Sequence, residues 1–143
     1  MRSISGWILL SYLLTLIYWM LLGFSRTPRE HYSYNLIPFS TINNYFSYYS
    51  HYPLSIWLIN IIGNIAVFVP FGLLIPLWKK RFLKFRSFIL LFLIGITILE
   101  LLQLYFRVGS FDVDDIILNS LGASIGILIL KVILKIKSKV HII

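Results

Sequence analysis

Four long apolar runs dominate the chain, and short polar stretches separate them. The runs cover about residues 4–24, 55–78, 86–106 and 115–134. As a helix, each is long enough to cross the hydrocarbon core of a bilayer, which takes roughly 20 residues. The pattern therefore predicts an all-α polytopic membrane protein with four transmembrane helices, forming a single domain over residues 1–143.

Composition supports a membrane protein over a soluble one. Hydrophobic residues make up 59% of the 143 residues and charged residues only 13%, whereas a globular domain averages about 25% charged residues. A soluble chain this short has too much surface to bury so much apolar material. The first run follows Arg2 as a signal peptide would, but it is too long and lacks a small-residue cleavage site, so we interpret it as an uncleaved anchor.

The basic residues predict the orientation. Ten of the 13 Lys and Arg residues lie at the two ends of the chain and between the second and third runs, around 79–86. Basic residues accumulate on the cytoplasmic side of a membrane. Both termini are therefore predicted to be cytoplasmic, and the net charge of +8 follows from topology and anionic lipid without a nucleic-acid partner.

The stretch 25–54 is predicted to be the longer external loop. It is rich in aromatic residues, which favour the membrane–water boundary, and a short helix is expected near Thr41–Tyr49. The aromatic residues in question are Tyr32, Tyr34, Tyr45, Phe46, Tyr48, Tyr49 and Tyr52. This loop is expected to lie along the outer membrane surface.

Polar residues inside the spans indicate a functional site. An ionisable side chain within a span, such as Glu100, usually faces the bundle interior or a wet cavity. Spacings of three and four place Gln103 on the same helical face, and Asn119 on the face of Asp115. Because these residues all fall in the half of the membrane predicted to face outward, we expect one external polar pocket. Its candidate members are Glu100, Gln103, Asp112, Asp114, Asp115, Asn119, Asn64, Asn60 and Arg107.

Structural roles are the alternative for several of these residues. The amide side chains could hydrogen-bond between helices, and Glu100 could form a buried pair with Arg107. An aspartate at the start of the fourth span could cap the helix and interact with its positive dipole end. Gly122 and Gly126, four residues apart, indicate close helix packing.

Four strings occur in an order that resembles one family. They are NLIPFSTI (35–42), NIIGNIAVFVPFG (60–72), ILELLQ (98–103) and FDVDDIILNSLGASIG (111–126). Together they resemble the VanZ-like family over roughly residues 8–135. The resemblance implies a small multi-pass protein of the bacterial cell membrane, associated with reduced susceptibility to the glycopeptide teicoplanin.

Two classes of function follow from the pocket and the resemblance. The first is a non-enzymatic membrane protein that binds a glycopeptide antibiotic or a membrane lipid and so protects the cell envelope, with no cofactor. The alternative is an enzyme acting on a lipid-linked envelope precursor at the outer leaflet. Under that alternative, Asp112, Asp114 and Asp115 could hold a divalent cation. A small transporter, which would need a homo-oligomer, is a third hypothesis.

Overall fold

The computed structural model describes residues 2–23, 25–48 and 53–140 of the chain. Among these residues, four helices are long and apolar enough to cross a membrane. In chain order the helical elements are α1 (Arg2–Leu21), α2 (Ser40–Ser47), α3 (Leu54–Trp57), a π-helical segment (Leu58–Gly63), α4 (Asn64–Trp78), a 3-10 helix (Lys80–Leu83), α5 (Phe85–Tyr105) and α6 (Val113–Val140). The segments from α3 to α4 form one continuous span, Leu54–Trp78.

The prediction of a four-helix membrane fold is confirmed. The largest difference from the predicted limits is at the end of α6, which continues to Val140 instead of ending near residue 134. Lysine is a good helix former, so the lysines after Leu134 do not end the helix. Three residues named in the predictions lie outside the described residues: Phe24, Tyr49 and Tyr52. The cytoplasmic position of the termini and the single-domain organisation stay predictions.

Glycines allow α4 and α6 to pack in direct backbone contact. A Cβ atom added to Gly122 would lie 2.8 Å from the carbonyl carbon of Ile65, and one added to Gly126 would lie 2.9 Å from the Cα atom of Gly72. Real Cβ atoms do not approach backbone this closely, so these positions exclude any side chain. The predicted packing role of Gly122 and Gly126 is therefore confirmed, and Gly72 is its counterpart on α4.

Aromatic rings fill the centre of the bundle. Phe68 and Phe71 of α4 contact Phe92 of α5, with ring centroids 5.7 Å and 6.3 Å apart. Phe88 stacks on Phe92 at 6.1 Å and is fully buried. In contrast, α1 is buried only on a narrow face, where the Tyr12 hydroxyl donates a hydrogen bond to the Val67 carbonyl at 2.8 Å.

A short β-pair, which the sequence pattern did not predict, joins the two connecting segments at one end of the bundle. Strand β1 (Tyr34–Asn35) pairs in parallel with β2 (Phe111–Asp112), and Asn35 lies opposite Asp112. Helix α2 follows β1 and overlaps the helix predicted near Thr41–Tyr49, beginning one residue earlier, at Ser40. We call this end of the bundle, formed by residues 25–48 and 106–112, the loop end.

Candidate functional site

Asp112 holds β1 and the start of α2 at the loop end. Its carboxylate accepts hydrogen bonds from the Asn35 side-chain amide at 3.2 Å and from the Thr41 hydroxyl at 2.6 Å. It also accepts the backbone N–H of Asp114 at 2.9 Å. Since Asp112 immediately precedes α6, it anchors the connecting segment to the start of that helix.

Asp114 has a similar role and is completely buried. Its two carboxylate oxygens accept the backbone N–H groups of Phe39, at 2.5 Å, and Ile42, at 3.0 Å. Phe39 has a positive φ of 64° directly before α2, a conformation that a bulky residue rarely adopts. The Asp114 carboxylate therefore stabilises a tight turn, and both of its oxygens are occupied by backbone donors.

Glu100 is the buried acidic residue without a complete set of partners. It is only 2% exposed, and its Oε2 atom has no hydrogen-bond partner among the residues that the structure describes. The backbone N–H of Asp112 donates a hydrogen bond to this carboxyl group. Leaving a buried carboxyl oxygen unsatisfied is destabilising, so Oε2 has hydrogen-bonding capacity that the described residues do not use.

Asp115 lies close to Glu100 and brings α4 into the same cluster. Its Oδ1 atom accepts a hydrogen bond from the Asn64 amide at 2.7 Å. The charges of Asp112 and Asp115 both act on Glu100, so three carboxyl groups from α5, β2 and α6 share one region. Asn60 does not join it through its amide, which donates back to the Ile56 carbonyl on its own helix at 2.8 Å.

Two further amides complete the buried polar region. Gln103 is 6% exposed and donates to the Met20 carbonyl at 2.9 Å, which ties the end of α1 to α5. Asn119 is 1% exposed, and its Oδ1 atom has no partner within the described part of the chain. The neighbouring Ser120 hydroxyl is buried and unpartnered in the same way, and sequence reasoning had not selected it.

Arg107 lies apart from this cluster. It is exposed, with a positive φ of 57°, and its guanidinium donates to the Glu30 carbonyl at 3.3 Å. The alternative in which Arg107 pairs with Glu100 is therefore wrong. The basic residue whose charge does act on Glu100 is Arg26, and its guanidinium donates to the Val108 carbonyl at 2.7 Å.

The aspartates at the start of α6 are not arranged as a metal site. Within residues 2–23, 25–48 and 53–140, no three His, Cys, Asp or Glu side chains form a group that could hold a metal ion. The reason is the direction of the carboxylates, since those of Asp112 and Asp114 point to donors at β1 and α2. The divalent cation of the enzyme alternative therefore has no support in this geometry.

Asn35 and Thr41 are residues of this region that the helical-face argument missed. Both lie outside the spans, and their partner Asp112 is more than 70 residues away in the chain. The signal that could have found them is the string NLIPFSTI, because it contains both donors and matches the family resemblance. The two strings NLIPFSTI and FDVDD thus form one structural unit.

Comparisons with known proteins agree with the resemblance seen in the sequence. The model of the VanZ/LLP1 family matches residues 9–135. The protein VanZ of Enterococcus faecium is 27% identical over 131 residues, covering 88% of this chain and 73% of its own length. No solved structure matches. Because the family model covers most of the chain, the protein belongs to the VanZ/LLP1 family.

Proposed function

We propose that this protein protects the bacterial cell envelope by binding an amphiphilic ligand at Glu100, and that it thereby reduces susceptibility to teicoplanin. The single observation that carries the proposal is the buried Glu100 carboxyl group, whose Oε2 atom has no partner among the described residues. A ligand that donates a hydrogen bond or carries a positive charge would satisfy this atom.

The charge around Glu100 supports a cationic or hydrogen-bond-donating ligand. Asp112 and Asp115 add negative charge nearby, and Arg26 is already hydrogen-bonded to the Val108 carbonyl. Lipoglycopeptides combine a lipid tail with polar, partly cationic groups, so their chemistry suits carboxyl groups near a membrane surface. Membership of the VanZ/LLP1 family is consistent with the teicoplanin association that the resemblance implies.

The proposed orientation places this cluster at the outer surface of the cell membrane. Ten of the 13 basic residues lie toward the opposite end of the bundle from Asp112 and Asp115, by the order of the helices along the chain. The positive-inside rule would then put the loop end outside.

Direct binding of teicoplanin tests this proposal. With purified protein in lipid vesicles, we expect saturable binding of fluorescent teicoplanin to wild type. Glu100→Gln should weaken it about ten-fold or more, because a charge-assisted hydrogen bond contributes about 1.5–3 kcal/mol. The matched control is Glu30→Gln, which makes the same substitution at an exposed position of the loop end and should bind as wild type does.

Unchanged helical circular dichroism would show that the Glu100→Gln variant is folded. Absence of saturable binding to wild type would overturn teicoplanin as the ligand. Equal affinities for wild type and Glu100→Gln would overturn the role of Glu100.

A further inference from the structure

A second feature of the bundle is an apolar cavity of about 420 Å³ between α1, α4 and α5. Aliphatic and aromatic side chains from all three helices line it. Examples are Leu13 and Ile17 of α1, Phe71 of α4, and Phe92, Ile96 and Leu99 of α5. A space of this size is within the usual range of small-molecule sites, about 300–1,000 Å³.

The lining of the cavity favours an apolar occupant over water. Apolar cavities of this kind stay dry, and an unfilled one forfeits the dispersion contacts of its walls. Along α5 the lining extends from Leu91 to Leu102, a length of about 16 Å at 1.5 Å per residue. The cavity is therefore elongated along α5, as an extended acyl chain is.

The polar cluster lies beyond one end of the cavity. Ile96 and Leu99 line the cavity, and Glu100 and Gln103 follow on the same face of α5, one turn closer to the loop end. The Gln103 amide, bonded to the Met20 carbonyl, marks where the interface between α1 and α5 changes from apolar to polar. An amphiphile with its chain in the cavity would have its polar group at this end, on the side of Glu100.

We propose that the cavity holds one acyl chain of a membrane phospholipid whose headgroup carries an amine, with the amine beside Glu100. Charge complementarity favours an amine over an anionic headgroup, since the carboxyl groups of Asp112 and Asp115 also act on Glu100. The headgroup contact rests on the proposed ligand-binding role of Glu100, whereas the acyl-chain site rests on the cavity alone.

Gly95 provides a way to fill the cavity without disturbing the backbone. It lines the cavity, and a Cβ atom built on it meets no other atom within 4 Å. The side chain in Gly95→Phe would therefore enter the space proposed for the acyl chain. The matched control is Ile94→Phe, which places the same ring at an adjacent position outside the cavity lining.

The test is photolabelling of the full chain in phosphatidylcholine vesicles. The probe is phosphatidylethanolamine with a diazirine midway along one acyl chain, and mass spectrometry maps the adducts. We expect adducts concentrated on cavity residues such as Leu13 and Phe92 in wild type and in Ile94→Phe. In Gly95→Phe we expect about ten-fold less labelling at those residues, because the filled cavity would be overpacked by the chain.

A second probe tests the headgroup. The same diazirine chain on phosphatidylglycerol should label the cavity of wild type about ten-fold less than the phosphatidylethanolamine probe does, and Glu100→Gln should reduce this difference. Labelling that is spread evenly over lipid-facing positions, or that persists in Gly95→Phe, would overturn the acyl-chain site. Cavity labelling with no headgroup preference in wild type would overturn the amine contact, and neither result depends on whether teicoplanin binds.

Discussion

Gly122→Ala is expected to destabilise the helix bundle by about 2 kcal/mol. The added Cβ atom would overlap the backbone of Ile65 on α4, and neither helix backbone can move aside as a flexible side chain would. Overpacking costs about 1–3 kcal/mol and occasionally more, while the better helix propensity of alanine returns about 0.5–1 kcal/mol. Unfolding in sodium dodecyl sulfate, followed by far-ultraviolet circular dichroism, would measure the loss.

Gly95→Ala is the matched control for this substitution. It makes the same chemical change on α5, but the new methyl group meets no atom within 4 Å. We therefore expect it to unfold at the same detergent fraction as wild type or a slightly higher one. If Gly122→Ala and Gly95→Ala unfolded together, the close α4–α6 crossing would be contradicted.

Asp114→Ala is expected to release the segment that contains β1 and α2. It removes two charge-assisted hydrogen bonds, to the N–H groups of Phe39 and Ile42. At about 1.5 kcal/mol each, their loss should speed local opening about 100-fold. Hydrogen exchange measured by mass spectrometry on a peptide covering residues 36–42 would detect the change.

Two further variants, one intermediate and one control, test whether the Asp114 carboxylate is the cause. Asp114→Asn keeps one acceptor in nearly the same shape and should show an intermediate rate of exchange. Ser47→Ala changes an exposed residue of α2 whose hydroxyl makes only a long bond, 3.4 Å, to Asn43, and should exchange as wild type does. If residues 36–42 exchanged at the same rate in Asp114→Ala as in wild type, Asp112 alone would hold the segment.

The membrane fold could be predicted because lipid imposes a simple rule on sequence. Each span must be apolar over about 20 residues, and the four runs satisfy this without reference to one another. The small-residue spacing of Gly122 and Gly126 similarly predicted their contact with another helix. The sequence did not show that the other helix would be α4. Its counterpart there, Gly72, has no second glycine four residues away, so α4 lacks the spacing that marks a packing face.

The connections at the loop end could not be predicted in the same way. Strands of two residues, such as Tyr34–Asn35, have no measurable periodicity. The donors to Asp114 are the backbone N–H groups of Phe39 and Ile42. Every residue except proline has such a group, so the residue type does not show which N–H will bond to a carboxylate. Asp112 and Asp114 were therefore grouped with the ligand-binding candidates, although their carboxylates are bonded to the connecting segment. Their role in binding a ligand stays a prediction.

Helical spacing was more informative for residues within the spans. It placed Glu100 and Gln103 on one face of α5, where the structure has both buried. Asn64 and Asp115 were predicted to lie in the same half of the membrane on separate helices, and the structure joins them by a 2.7 Å hydrogen bond. Arg107 shared the spacing but lies beyond the end of α5 at Tyr105, so the helical face no longer applied to it.

Teicoplanin susceptibility of a deletion host is the most direct test of the central claim that Glu100 serves envelope protection. The host would express wild type, Glu100→Gln or Glu30→Gln, with equal membrane abundance confirmed for each. We expect wild type and Glu30→Gln to raise the inhibitory concentration and Glu100→Gln to lose the rise, since the substitution replaces the carboxyl group that carries the unpartnered Oε2 atom. A rise in Glu100→Gln equal to that of wild type, or no rise in wild type over an empty vector, would contradict the claim.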